Sequence, residues 1–176
     1  MDNDPYLWLE DIDGQRSMQW VAEHNTPTIA RLAGARFDEL RAEALQVLDS
    51  DERIPDVARR GDYLYNFWRD AERPRGLWRR TTLEEYRSDA PTWDVVIDVD
   101  ALAATEGENW HWAGVDVIAP EFTRALVEFT RGGGDTTVVR EFDMETRQFV
   151  SDGFMLPEAK HDVSWLDEDT LLVGTD

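Results

Sequence analysis

Apolar positions along the chain fall into two textures. Up to about residue 55 they recur at the three- and four-residue spacing of helices. In "SMQWVAEHN", Met18, Val21 and Ala22 share one face with Trp20 alongside. "TPTIARLA" predicts the start of a new helix, Thr26 capping it and Pro27 in its first turn, where a missing N–H is harmless. "RFDELRAEALQVLDS" puts Phe37, Leu40, Ala44, Val47 and Leu48 on one stripe, and "DSDERIPD" ends it with Pro55 as the breaker.

From Val57 onward the period shortens. "DYLYNFWRD" alternates Tyr63, Tyr65 and Phe67 against Leu64, Asn66 and Trp68, a strand apolar enough to be buried on both faces. "GLWRRTTL", "TWDVVIDVD", "VDVIAP", "RALVEFT", "TVVREFDMETRQFV", "HDVSWL" and "TLLVGTD" follow, separated by turns rich in Gly, Pro and Asp. No long helical pattern divides them, so the reading is an antiparallel sheet and not a β-α-β arrangement. Leu126–Phe129 and Leu171–Gly174 are similar at an offset of about 45 residues, and Leu64–Phe67 precedes Leu126–Phe129 by about 62, with "ALAATEGENWHW" as the plausible insertion. Propeller blades repeat at about 40 to 50 residues. An ordinary antiparallel sheet or sandwich fits the same pattern.

Composition narrows the classes of function. The 176 residues suffice for one domain with a sizeable core, and eight tryptophans call for burial at a core or an interface. A net charge of -20 argues against nucleic acid and anionic lipid as partners and favours solubility. The chain has no cysteine, so thiol catalysis, disulfides and Cys-ligated zinc are excluded. With no basic segment leading into an apolar run and no stretch of membrane-spanning length, a soluble cytoplasmic protein is expected.

The candidate chemistry is sparse. His24, His111 and His161 are too far apart in sequence for a local metal motif. "RGGGD" lacks the Gly-Lys-Ser/Thr end of a phosphate loop and reads as a hairpin turn. "DIDG" has its glycine too early for a calcium loop and reads as helix-start capping. The acid pairs Glu141 with Asp143 and Asp98 with Asp100 suit a glycosidase in type, but among 38 acids they read as a solvated strand face. Of the serines, none lies in Gly-x-Ser-x-Gly; Ser151 has only Gly153.

The opening "DPYLWLED" sets Tyr6, Trp8 and Leu9 between acids. Together with "WVAEHN", "YNFWRDAERPRGLWRRTTLEEY", "WDVVIDVDAL" and "VVREFDMETRQFV" in this order, it resembles the N-terminal portion of the prolyl oligopeptidase family of serine peptidases. The resemblance implies a mainly β fold: N-terminal helices over 1–55, then, over 56–176, about two blades and part of a third of an antiparallel seven-bladed β-propeller, incomplete. It implies that Tyr6, Trp8, Leu9 and Trp20 face an α/β-hydrolase domain that this sequence does not contain. It also implies that the chain is an excised, non-catalytic N-terminal piece, needs no cofactor, and exposes strand edges that favour self-association.

In the same family, side chains near the start of the third blade point toward the bound peptide, which makes Lys160 and His161 substrate-side candidates. The intact enzyme would cleave short proline-containing peptides under a gating propeller, although relatives of this layout also prefer basic residues or acylated N-termini. The alternative is a stand-alone acidic interaction module that binds a partner through exposed aromatics.

Overall fold

The computed structural model describes residues 4–50 and 52–175, so Asp51 and Asp176, at the ends of two predicted elements, lie outside the described residues. The chain divides into two compact units, Met1–Asp49 and Ser50–Asp176, so residues 50–55 fall in the second unit.

The first unit is helical. A single 3₁₀ turn, Leu7–Glu10, leads into α1 (Gln15–Leu32) and α2 (Ala35–Leu48). The break expected at Thr26 and Pro27 does not occur, and α1 runs through Pro27. Proline removes only one backbone donor from a helix of this length. On either side of it the hydroxyls of Thr26 and Thr28 donate to the carbonyls of Ala22 and His24, at 2.9 and 2.8 Å. The helix stops instead at Ala33, whose N–H closes on the Ile29 carbonyl, and Gly34 precedes α2 in extended geometry. The capping expected from "DIDG" is also replaced. Gly14 occupies the N-cap of α1 without a side-chain bond, and the Asp11 carbonyl accepts from the Gly14 N–H, closing a turn.

The described residues of the second unit form three antiparallel sheets laid out in chain order. The first joins β1 (Ala58–Arg60), β2 (Tyr63–Trp68), β3 (Leu77–Thr82) and β4 (Asp94–Asp98) in that order. The second joins β5 (Trp110–Val117), β6 (Arg124–Arg131), β7 (Thr137–Asp143) and β8 (Gln148–Phe149), with β9 (Met155–Ala159) also pairing with β7. The third is the hairpin of β10 (His161–Asp167) and β11 (Thr170–Thr175).

Two short helices interrupt the strands: α3 (Leu83–Tyr86), capped by the Thr82 hydroxyl, and α4 (Val99–Glu106), capped by Asp98. The similar segments detected in the sequence, Leu64–Phe67, Leu126–Phe129 and Leu171–Gly174, all lie on the second strand of their sheets, so the offset has a structural basis. The first interval is long because it carries α3 and α4. Of the expected insertion only Ala101–Glu106 is helical; Trp110, His111 and Trp112 begin β5.

The core lies between the first two sheets. Tyr65 and Trp78 on one side meet Trp110, Ala125, Val127, Phe129, Val138 and Phe142 on the other. The Trp78 and Trp112 rings lie 5.6 Å apart, and Trp112 meets Phe129 edge-on at 6.0 Å. Beyond burial, such aromatic pairs add about 0.5 to 1.5 kcal/mol each.

Polar ties span the same seam. Arg75 donates to the Trp110 carbonyl (2.6 Å) and to Asn109 Oδ1 (2.7 Å), and Arg147, in the β7–β8 turn, donates to Asp94 Oδ1 (2.7 Å). Gly76, at φ +104, is needed between β2 and β3, because a Cβ there would lie 2.4 Å from the Phe67 ring. The third sheet joins the second through Trp165, whose indole N–H donates to the Asp116 carbonyl at 3.2 Å and whose ring meets Phe154 edge-on.

Candidate functional site

The four residues assigned to an interface all lie in the helical unit and leave much of their surface uncovered. Tyr6 is 60% exposed and Trp20 36%, while Trp8 and Leu9 are half-buried. Local bonds hold them in place. The Tyr6 N–H donates to Asp4 Oδ1 (2.8 Å), and the Trp8 indole donates to the Pro5 carbonyl (3.0 Å). The Ser17 hydroxyl, the buried side chain of α1, donates to the Trp8 carbonyl (2.9 Å), and the Arg16 guanidinium stacks on the Trp8 ring at 3.9 Å.

Trp20 stacks on His24, with centroids 3.9 Å apart, and His24 Nδ1 lies 2.8 Å from the Trp20 carbonyl. The apolar stripe continues over both helices. Met18, Ile29, Phe37, Leu40 and Leu45 are all about half exposed or more, and no side chain of α2 is buried. This is an amphipathic surface, pinned locally, whose apolar stripe the described residues of the helical unit do not themselves enclose.

Lys160 and His161 sit at the β9–β10 junction. The Lys160 ammonium pairs with Asp135 Oδ2 at 2.9 Å, in the turn between β6 and β7 that "RGGGD" forms. His161 Nε2 lies 2.5 Å from the Pro157 carbonyl, while its buried Nδ1 has no hydrogen-bond partner among the described residues. His161 also acts on Glu128 of β6. Burial pushes the Glu128 carboxyl up from its ordinary range, His161 opposes the rise, and the charges of Asp116 and Asp162 add to it.

The acid pairs are mostly tied into turns and caps, and Glu141 departs from the solvated face expected of it, while Asp143, Asp98 and Asp100 keep part of their surface in solvent. Glu141 is buried at 3% exposure, receives the Arg124 guanidinium, and accepts the Phe154 N–H at 2.7 Å. Gly153 makes this approach possible, since a Cβ there would fall 2.5 Å from Glu141 Oε2. Asp143 accepts the N–H groups of Glu145 and Thr146, Asp98 caps α4, and Asp100 accepts the N–H groups of Arg75 and Gly76. Among the described residues, no group of three His, Cys, Asp or Glu could hold a metal. Arg53, Trp68, Arg79 and Trp93 surround a cavity that sequence reasoning passed over. The available signal was the alternation of aromatics and arginines in "NFWRDAERPRGLWRR".

With helices preceding serial antiparallel sheets, the comparison with known proteins is direct. Residues 2–176 match the family described as "Prolyl oligopeptidase, N-terminal beta-propeller domain". The chain belongs to the prolyl oligopeptidase family. It is 44% identical over 174 residues to an uncharacterised peptidase of Sinorhizobium fredii, covering 97% of this chain and 24% of that protein. An uncharacterised peptidase of Rickettsia prowazekii is 33% identical over 175 residues, covering 94% and 24%.

Among solved structures, a post-proline cleaving enzyme from Rickettsia typhi superposes with a TM-score of 0.80 at 32% identity, over 93% of this chain and 25% of that one. Oligopeptidase B from Leishmania major shares the fold, with a TM-score of 0.63 at 19% identity over 92% of this chain and 23% of its own. The chain thus spans about a quarter of the length of these prolyl oligopeptidase relatives. The match supports a mainly β propeller-family domain preceded by helices.

Proposed function

We propose that this chain is the non-catalytic N-terminal part of a prolyl oligopeptidase-like serine peptidase whose intact form hydrolyses short proline-containing peptides. The observation that carries the reading is the family match over residues 2–176 in a chain covering 24% of its peptidase relatives. The catalytic serine, acid and histidine would come from an α/β-hydrolase domain in the remaining length. In this reading the serine attacks the scissile carbonyl, the histidine takes and returns the proton, and water releases the acyl-enzyme.

The sheets would form part of a propeller that restricts access to small peptides. The stripe of Tyr6, Trp8, Leu9 and Trp20 would pack on the hydrolase domain, which accounts for amphipathic helices with almost no buried side chain. Lys160 and His161 would stand near the peptide path. Uncovered strand edges would promote self-association of the chain alone, opposed by its charge of -20.

The test is to express the whole reading frame and assay short proline-containing and arginine-containing peptides, alongside this chain alone. Turnover after proline by the longer protein and none by this chain is the expected result. A longer protein without peptidase activity, or a reading frame with no downstream nucleophile elbow, overturns the proposal.

A further inference from the structure

In the first sheet, Trp68, Arg79 and Trp93 form a stack: the Arg79 guanidinium lies 4.4 Å from the Trp68 ring centre and 4.3 Å from that of Trp93. Arg53, from the segment before β1, adds a second guanidinium 4.6 Å from Trp68. These groups border a cavity of about 580 Å³, whose other walls are Ile54, Pro55, Tyr86 and Pro91. The Tyr86 hydroxyl braces it by donating to the Pro55 carbonyl at 3.0 Å.

Both guanidiniums lack an ion pair among the described residues. Arg53 bonds backbone carbonyls, those of Ser50 and Arg69, and Arg79 uses Nε on Asn66 Oδ1 at 3.0 Å, leaving its terminal nitrogens without a described partner. The nearby carboxylate of Asp70 is engaged by the Trp68 indole and by the N–H groups of Glu72 and Arg73. Burial and the neighbouring Arg53 charge outweigh Asp70 and hold Arg79 down to about 10. In a chain of net charge -20, two adjacent cations with no ion pair among the described residues are the converse of what composition alone would produce.

An arginine with a free terminal edge grips an oxyanion through two parallel hydrogen bonds, and stacking on rings keeps that edge fixed. We propose that this cavity binds the terminal carboxylate of a short peptide: Arg79 and Arg53 hold the anion, and Ile54, Pro55 and Pro91 cover the apolar residue that bears it. The walls favour an anion with an apolar body over a fully hydrated inorganic ion. The choice of a peptide as the bearer rests on the peptidase reading above.

The test follows the Arg79 and Arg53 side-chain Nε–H resonances by NMR while the protein is titrated with acetyl-Ala-Pro as free acid, then with its amide, then with inorganic phosphate. Saturable shifts with the acid and none with the amide are expected. Arg53→Gln, on the exposed rim, should weaken binding about tenfold while the protein still melts cooperatively as a folded chain. Arg79→Gln should abolish binding, and Arg53→Gln keeps the test valid if that variant fails to fold. Equal response to acid and amide, no response to the acid, or response to phosphate alone overturns the proposal. Because binding is read at the cavity and not by turnover, its failure is separable from a failure of the peptidase reading, which the hydrolysis assay measures.

Discussion

The helical unit and the sheet unit use apolar residues in opposite ways. In the sheets, Ala125, Leu126, Val127 and Phe129 are fully enclosed, and two sheets interlock around Trp78 and Phe142. In the helices, residues of equal hydrophobicity lie open: Phe37 is 50% exposed and Ile29 60%. The second unit therefore derives its stability from its own contacts. The first has the pattern of a core-facing layer without the contacts, and helices of this length draw most of their stability from such packing. Periodicity in sequence thus reports that a face is made to be covered, and not which molecule or segment covers it.

The largest expected effect tests that contrast directly. Phe129→Ala removes a ring at the centre of the sheet core and should cost about 3 to 5 kcal/mol, enough to unfold much of the sheet unit. Phe37→Ala in α2 should cost well under about 1 kcal/mol in this chain. Urea titration of both variants checks the pair, and equal losses would abolish the distinction. If the helical stripe packs on a further domain, Phe37→Ala should become costly in the full-length protein, and the difference between the two settings measures that packing.

Glu141→Gln is next. The carboxylate is 3% exposed and tied to Arg124 and the Phe154 N–H, so neutralising it weakens two charge-assisted bonds. A loss of about 2 kcal/mol is expected by urea titration, softened because Arg124 keeps access to water. An equivalent change at an acid on the helical unit, such as Glu39 in its exposed pair with Arg36, should register nothing measurable. A silent Glu141→Gln would mean that the buried acid is as inert as the surface ones.

Glu141 also marks the limit of what the sequence conveys. Most strands, their antiparallel character and the β6–β7 turn were legible because period-two apolar runs and Gly-rich turns are local signals, and "DPYLWLED" carried the family, whereas the short strands β1 and β9 were not. The continuity of α1 through Pro27 was not, because a breaker rule read from one residue does not register how the helical turns on either side of it carry on. Nor was the burial of Glu141, which depends on Arg124 across the sheet and on Gly153 after the next strand. The Trp–Arg cavity was missed for the same reason: Arg53, Trp68, Arg79 and Trp93 converge only once β2 and β3 pair.

Acidity supplies a smaller effect confined to the sheet unit. The Arg147 guanidinium, ahead of the weaker opposing effect of burial, holds the Asp94 carboxyl below its ordinary value of 3.8. A carboxylate lowered in the folded state stabilises above its unfolded value, and that contribution is lost as pH falls through the folded one. Melting temperature should therefore drop below about pH 4, and Arg147→Ala should flatten the drop. An unchanged acid limb in that variant would show that the tie between the two sheets contributes nothing to the pH response.

Glu128 should show the smallest effect, with the opposite sign. Burial raises its carboxyl above its ordinary value of 4.5, with Asp116 and Asp162 adding to the rise and His161 opposing it. A carboxyl raised in the folded state is favoured while protonated, so its contribution is complete below the unfolded value and is lost as pH climbs through the folded one. At neutral pH the ionised group is a burden, and Glu128→Gln should stabilise the chain by about 0.5 kcal/mol, a figure discounted for its partial exposure. That gain should disappear near pH 4, where Glu128 is itself neutral. Denaturation of wild type and variant at both pH values resolves the sign, and a loss of stability at neutral pH would mean that His161 outweighs the burial and the two aspartates.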